Sequence, residues 1–547
     1  MRRRIVLIIT SCIVLLIIGA TLFITFKPIT THTSKPTAHT FTPVPSTFFA
    51  TAKEEAYSTY QLPGDGDLWP SCWSNDDNMY TANGDGSAFS PDQDRSDMPV
   101  SRISGMLPNL TGTTLATDVG TNWIGAGYNR KPTGMLCVNN TIYLAFQNLA
   151  IGTFDSVPAA SIAKSVDHGA TWTWDLKTPM FSNSLFTTVF FLDFGKNYAN
   201  SIDNYVYAYG LDNNWRFQQK LYLARVPRDS IQSIASWQFY HADTHGAPAW
   251  GTMSQRTPVL QDDRTFYAKN FCDGDPSLCP SLGISQGGVT YDAPLKRYIF
   301  SSWTSTTQEF YEAPAPWGPW KLFLSQDFGN LRLSHNRGQY GISIPSKFIS
   351  ADGKTLHVQS NVCCGGDSYT FALRKLYVQP YTPTTATNAK DNTNNLAQTG
   401  NETTAISKST HYGTLCGLDC SDSLNDGNLT GSEDDYDEEY KITDWWGYTW
   451  NQQYTMNKVT YTTGAMLPDG GWYASNLHVQ VRQNFQWVDV TGLSTTPNYS
   501  YNTSVGAHTT YTFTFKAMQG DGIRIIGTPG GTHDFTSIAE LGVYYSA

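Results

Sequence analysis

"SVDHGATW", residues 165–172, has the S-x-D-x-G-x-T-W form of an Asp-box. In such a hairpin the aspartate ties up turn amides and the tryptophan packs between strands. Asp-boxes mark the blades of β-propellers, and "SQDFGN", residues 325–330, is a degenerate copy without the tryptophan. Around these two, short alternating or apolar runs recur: "TIYLAFQ", "NYVYAYG", "QKLYLARV", "KRYIFSSW" and "TFALRKLYV". Clusters of Gly, Asn, Asp and Pro separate them, and no long 3.6-residue period intervenes. The pattern predicts an all-β chain whose residues 56–380 form a five-bladed β-propeller, with the Asp-boxes away from its central funnel.

The chain has 547 residues, enough for two or three domains with sizeable cores. Only 15% are charged, the formal net charge is −10, and no basic block lies beyond the first few residues, which excludes a nucleic-acid-binding surface. Aromatics reach 14%, which suits both a strand-rich protein and rings that stack on ligands. Residues 1–27, "MRRRIVLIITSCIVLLIIGATLFITFK", place three arginines before an uncharged apolar run long enough to span a bilayer. Without a small-x-small cleavage site this reads as a signal-anchor, with the rest of the chain at the cell surface, or secreted if the helix is cleaved. The membrane would be met only through this helix, and the protein is expected to be a monomer. Residues 28–55 read as a Thr/Pro/Ser-rich spacer, 381–410 as a polar linker, and 411–547 as a second all-β domain. Setting Cys12 aside leaves eight of the nine cysteines, an even number suited to an oxidising compartment. Local pairs Cys272–Cys279 and Cys416–Cys420 are expected, and the partners of Cys363 and Cys364 stay open.

A propeller brings the ends of its innermost strands together, so carboxylates far apart in sequence can share one site. Cleavage of a glycosidic bond needs two of them, one to protonate the leaving oxygen and one to act as base or nucleophile. The stretch "GDGDLWPSCWSNDDNMYTANGDG", residues 64–86, carries Asp67 and Asp85 beside glycine and aromatic residues. Asp193 in "VFFLDFGKNY" and Glu312 in "FYEAPAPWGPW" are further candidates. Asp65 lies between two glycines and reads as a turn residue, as do Asp76 and Asp77. "GISQG" around Ser285 has the letters of a nucleophile elbow, but a strand pattern follows it where a helix is required. His241 and His245 in "HADTH" fall in a loop and make no helical ligand pair.

"GDLWPSCWSNDDNMYTANGDG", "FGKNY", "VYAYG", "LYLARVPRDSI", "GGVTYDAPLKRYIFSSW" and "YEAPAPWGPW" occur in one order along residues 66–320. In this the chain resembles a bacterial family of domains of unknown function, five-bladed propellers that include endo-D-arabinanases. The resemblance implies a glycoside hydrolase that cleaves arabinofuranosyl-type linkages in a polysaccharide. It implies Asp67 and Asp85 as the catalytic carboxylates, Glu312 as a third acid, and no cofactor for catalysis. Trp69, Trp73, Trp317 and Trp320, with Asp193, would bind substrate. The C-terminal region, with "NDGN" and "AELGVY", resembles the discoidin (coagulation factor type C) β-sandwich, a galactose-binding-like jelly roll. That resemblance implies a carbohydrate-binding module with a structural calcium ion held through Asp426 and Glu540, and leaves Trp445, Trp446 and Trp472 as sugar-binding candidates. The acidic run from Glu433 to Glu439 reads as a solvated loop. The alternative is a glycan-binding lectin or adhesin that does not cut. A sialidase-like hydrolase, suggested by the Asp-box, would need an arginine triad that Arg102, Arg225 and Arg256 do not readily supply.

Overall fold

The computed structural model describes residues 41–55, 58–90, 94–243, 246–266, 281–305, 307–327, 340–361, 369–382, 395–398, 403–409, 424–436 and 441–546. Residues 40–547 form one compact unit. The expected anchor at 1–27 lies outside the described residues, among which no helix is long and apolar enough to cross a membrane. Among the described residues, regular structure is all β apart from short 3-10 turns.

Antiparallel meanders follow one another along the chain. Blade I contains Ser71–Trp73, Met79–Ala82, Val100–Met106 and Asn109–Ala116. Blade II contains Tyr128–Val138, Thr141–Ala150 and Ala159–Ser165. Blade III runs from Thr188–Asp193 through Tyr205–Leu211 and Lys220–Pro227 to Gln238–Ala242. Blade IV contains Gly288–Asp292, Arg297–Trp303, Thr307–Ala313 and Lys321–Asp327. Blade V contains Tyr340–Ser343, Thr355–Asn361 and Phe371–Pro380. One axial cavity of about 40 Å³ is lined by Ser71, Thr133, Phe190, Val289 and Gly341, a residue from the first strand of each blade in turn. The sheets therefore stand radially around one axis, the arrangement of a five-bladed propeller. The first strands of blades III and IV even pair with each other in parallel, Leu192 opposite Val289.

The Asp-box sits where it was expected. Asp167 accepts hydrogen bonds from the Thr171 amide (2.9 Å) and from the Thr171 and Ser165 hydroxyls. These bonds lower its carboxyl to about 2. The box turns blade II from its third strand toward Thr173, which bridges back to Lys164.

Two boundaries and one loop reading differ from the sequence analysis. Residues 28–55 are not spacer throughout, because Phe49–Glu54 pairs with Phe371–Pro380 as the outermost strand of blade V and closes the ring. Glu54 and Arg374 form an ion pair across this closure, both with 0% side-chain exposure. The stretch 381–410 is not linker throughout either: Thr404–Ser407 pairs with Asp444–Thr463, and Leu396 and Ala397 are buried. The part of the acidic run that is described is packed: Asp435 is fully buried against Lys441 and accepts from the Thr536 amide at 3.0 Å. Polar residues in a run look solvated when their partners come from distant strands.

The C-terminal strands form an eight-stranded antiparallel sheet dominated by Asp444–Thr463 and Thr510–Pro529, each 20 residues long. Register breaks after Thr449 and Met456 bend it, so its halves enclose a core of Trp446, Tyr448, Trp450, Tyr461, Val481 and Ile523, a curled β-sandwich.

A disulfide joins Cys72 to Cys137, 65 residues apart, between the first strands of blades I and II. The expected pairs Cys272–Cys279 and Cys416–Cys420, and Cys363–Cys364, lie outside the described residues.

Candidate active site

The two ends of the 64–86 stretch meet. Asp65–Asp67 pairs antiparallel with Gly84–Ala88, Asp67 opposite Gly84 and Asp65 opposite Ala88. Between them the chain forms the strands Ser71–Trp73 and Met79–Ala82, with Asp76 and Asp77 in the turn. Asp85 is held with φ 58, a left-handed conformation rare for a side-chain-bearing residue, while the Asn83 amide donates to the carbonyls of Asp85 (2.6 Å) and Asp65 (3.3 Å). Asp65 opens a strand rather than a turn: its Oδ2 accepts from the Ser87 amide of the partner strand at 3.1 Å.

Around this pair gather side chains from two other blades. Lys131, at the start of blade II, has a side chain only 4% exposed and is ion-paired with Asp85, whose own side chain is 42% exposed. Tyr340, at the start of blade V, donates its hydroxyl to Asp67 Oδ2 at 2.8 Å. Burial pushes the Asp67 carboxyl up to about 6, and the Asp85 charge adds to this, while Lys131 and hydrogen bonds from Tyr340 and Tyr369 pull the other way. The same carboxylates, together with burial, hold the Tyr340 and Tyr369 hydroxyls above the ordinary phenol range. Gly84 leaves the room this needs, since a Cβ there would stand 2.7 Å from Asp67 Oδ1 and 3.1 Å from Lys131 Cδ. Asp67, Lys131 and Tyr340 each stand within two residues of an axial-cavity residue (Leu68, Thr133, Gly341), so the cluster caps the end of the axis where the innermost strands begin.

The other predicted site residues are not brought to this cluster. Asp193 lines the axial cavity but ends its strand. Its carboxylate accepts from the Gly195 amide (2.9 Å), the Ser346 amide (2.9 Å) and the Ser346 hydroxyl (2.8 Å), tying blade III to the loop after blade V's first strand. Trp73 also lies at that far end, donating to Asp77 at 3.0 Å with the Lys196 and Lys347 ammonium groups 5.8 and 5.9 Å from its ring. A tight turn separates it from Asp67 along the chain, with Leu68 at φ 69, Trp69 at φ 41 and the Trp69 amide donating to the Asp67 carbonyl. Trp69 has 0% exposure, stacks on Phe89 at 5.1 Å and donates to the Gly66 carbonyl, so it presents no face to a ligand. Trp320 is buried in the core with Tyr209 and Phe300 against it, and Trp317 packs on the same core. Glu312 is on the third strand of blade IV, away from the axis, bonded to the Ser46 hydroxyl at 2.8 Å and 3.4 Å from Arg297. Ser285 is buried, its hydroxyl accepting from the Phe217 amide, and the strand Gly288–Asp292 follows it. His245 lies outside the described residues. The three arginines of the sialidase reading stay apart: Arg225 stacks on Tyr205 and Trp250, Arg256 pairs with Asp212, and Arg102 sits in the middle of blade I.

Lys131, Tyr340, Tyr369 and the Cys72–Cys137 bond are the parts that sequence reasoning missed. Lys131 left one trace, a charged residue beside Pro132 after which the rest of the strand, Thr133 to Val138, is apolar or small.

In the C-terminal sandwich, Glu540 accepts from the Gly427 amide at 3.1 Å and Asp426 from the Asn428 amide at 2.7 Å. Burial pushes Glu540 up to about 7, and the nearby Asp426 charge adds to it. The two carboxylates meet at the exposed loop 426–430 and are oxygen donors of the kind a hard cation such as calcium takes, but among the described residues no cluster of three or more His, Cys, Asp or Glu forms there. Trp446 is buried in the core and donates to the Thr536 hydroxyl, and Trp472 packs partly buried on the same core. Trp445 alone of the three lies on the outer face of the sheet, beside Arg524.

Solved structures resemble the chain in part. The GH43_1 enzyme of Xanthomonas citri is 15% identical, covers 61% of this chain and 91% of its own, and has a TM-score of 0.34. The family 32 carbohydrate-binding module of Clostridium perfringens NanJ, solved with galactose, is 19% identical over 26% of this chain and 94% of its own, at a TM-score of 0.21. Chitosan-binding module 1 of a Paenibacillus chitosanase/glucanase is 24% identical over 28% of this chain and 99% of its own, at a TM-score of 0.20. At those TM-scores the likenesses carry no argument about function. No curated protein matches the chain. The family match begins one residue before Asp67 and takes in Asp85, Lys131 and Tyr340: over residues 66–355, more than half its length, the chain belongs to the family Domain of unknown function (DUF4185).

Proposed function

We propose that the chain is a glycoside hydrolase acting on arabinofuranosyl linkages of a polysaccharide outside the cytoplasm. The observation that carries this reading is the Asp67–Lys131–Asp85 cluster, two carboxylates in unlike surroundings at the axis of a propeller. Asp67, raised to about 6 and hydrogen-bonded by Tyr340, is the general acid that gives its proton to the leaving glycosidic oxygen. Asp85, exposed and ion-paired with Lys131, is the base that activates water or the nucleophile that attacks the anomeric carbon. Water then supplies the hydroxyl to the sugar, and its proton goes to Asp85 where Asp85 is the base, or back to Asp67 where Asp85 is the nucleophile and water hydrolyses the glycosyl ester. Lys131 and Tyr340 position the two carboxylates.

The C-terminal sandwich serves as a carbohydrate-binding module, with Asp426 and Glu540 holding a structural calcium ion. The Cys72–Cys137 bond supports an oxidising, extracytoplasmic location. The chain acts as a monomer on this reading.

The test is incubation of the full chain with a panel of arabinans and other furanosides, beside Asp67→Asn and Asp85→Asn. Release of oligosaccharides is expected from the wild type, with losses of about 10²–10⁴-fold in each variant. Activity that survives both substitutions would sink the site. Binding of the glycan without cleavage would put a lectin in the enzyme's place.

A further inference from the structure

The outer face of the C-terminal sheet carries a feature that its core does not require. In an antiparallel sheet, residues directly opposite one another share a face, as do residues two apart along a strand. Arg524 stands opposite Gly447 on one side and Gln480 on the other, with Trp445 two residues from Gly447 and Asp489 opposite Gln480. Trp487, opposite Arg482, shares that face, and so do Thr404 and Ile406, opposite Thr449 and Gly447.

The Arg524 guanidinium lies 5.2 Å from the Trp445 ring and 4.5 Å from the Trp487 ring. Its Nε donates to Gln480 Oε1 at 2.8 Å, and Gln480 in turn donates to Asp489 at 2.8 Å. Two glycines open the face for this stack. A Cβ on Gly447 would stand 2.6 Å from Arg524 Cβ, and one on Gly522 would stand 3.1 Å from the Trp487 ring.

The adjacent row of the same face meets the propeller, where Arg482 donates to the Ala50 carbonyl of the ring-closing strand. Beside that contact opens a cleft of about 350 Å³, lined by Thr51, Lys53, Lys354, Tyr377, Gln379 and Thr404. That is within the range of small-molecule sites. Its walls carry ammonium, hydroxyl and amide groups and no carboxylate. Hydroxyls and indole or phenol rings are the groups that take sugars, and a guanidinium fork with ammonium groups takes carboxylates.

We infer that this cleft and the Trp445–Arg524–Trp487 stack beside it form one binding trough for an acidic polysaccharide, its carboxylates held by Arg524, Lys53 and Lys354 and its rings by the half-buried indoles and Tyr377. The site is separate from the Asp67–Asp85 cluster and does not depend on what that cluster does.

Affinity electrophoresis of the full chain through gels of polygalacturonate and of neutral arabinan tests it. Retardation by polygalacturonate is expected, weakening with added salt. Arg524→Gln and Trp487→Ala should each lower the affinity at least about tenfold while Asp85→Asn leaves it unchanged, in line with the loss of a bidentate or stacking contact. Lys354→Gln, on the propeller wall, gives the same reading if the sandwich variants do not fold, and Arg524→Lys should restore only part of the binding. Absence of retardation by polygalacturonate overturns the inference, as does undiminished retardation of Lys354→Gln together with a folded Arg524→Gln. Arabinan cleavage by a protein that ignores polygalacturonate would leave the hydrolase reading standing and remove this one alone.

Discussion

At Asp67 the balance is between burial, which disfavours the carboxylate, and a lysine and two tyrosines that favour it; burial wins, and the group sits near 6. As a general acid it must be protonated, so kcat/KM is expected to fall as pH rises through about 6. A rate profile flat from pH 5 to 7.5 would remove Asp67 from that part. Gly84→Ala is the gentlest way to disturb the pair. The added methyl would lie 2.7 Å from Asp67 Oδ1, so the carboxylate must move. We expect kcat to fall at least about tenfold, because small misplacements of catalytic groups are costly, with a melting temperature close to wild type. A wild-type kcat would show that Asp67 is not held where the reaction needs it.

The carboxylate pair was legible because both members lie in one stretch, next to the glycines and turns that bend it back on itself. Lys131 and Tyr340 were not, because their partners arrive from blades whose neighbours are set by ring geometry rather than by sequence distance. Trp69 and Trp320 show the complementary failure. Tryptophans beside functional motifs read as platforms, yet a radial array of sheets has large gaps between blades, and indoles fill them. Glu312 failed for a third reason: a strand pattern reveals that a residue is in a strand, not whether that strand is the first or third of its blade.

Among the elements, the seam between blades I and II bears most directly on the site, because Asp67 precedes one of its strands and Lys131 begins the other. The Cys72–Cys137 bond clamps it. In the chain-entropy account a closed loop of this length, 65 residues, stabilises by about 4 kcal/mol. Cys72→Ser with Cys137→Ser should lower the urea midpoint accordingly, and an unchanged midpoint would show the bond to be inert. The closing strand is a second such element. Burial pushes the Glu54 carboxyl up to about 8, so losing Arg374 leaves a buried polar group without its partner rather than a bare charge, and Arg374→Met should destabilise the propeller by about 1–3 kcal/mol in the same measurement. The all-β pattern and the Asp-box were readable because side-chain alternation and turn chemistry are local. The closing strand was not, since "FATAKE" lies in Thr- and Pro-rich surroundings and pairs with residues more than 300 positions away.

At the scale of the whole molecule, the carboxylates of the C-terminal sandwich link stability to pH and to cations. Without a cation, Glu540 has a folded value near 7, above its unfolded one, so it favours the fold while protonated and loses that advantage as pH rises through about 7. A bound calcium ion would invert this by favouring the ionised form. Calcium at 100 times its Kd should add about 2.7 kcal/mol. The rise in melting temperature should be larger at pH 8 than at pH 5.5 and absent in Glu540→Gln. A melting temperature indifferent to calcium and to a chelator at both pH values would sink the assignment.

The strand Phe49–Glu54 closes the ring against Phe371–Pro380. Of the whole propeller it is made first and placed last: during synthesis it must stay extended and unpaired until residue 380 has been built. For all that time the growing chain carries an open-ended fan of blades and a lone apolar-edged strand, a state in which premature pairing with a neighbour's unfinished fan is the characteristic hazard. A folding helper that shields this strand, or the slow delivery of the chain to its destination, would thus bear directly on the yield of native protein.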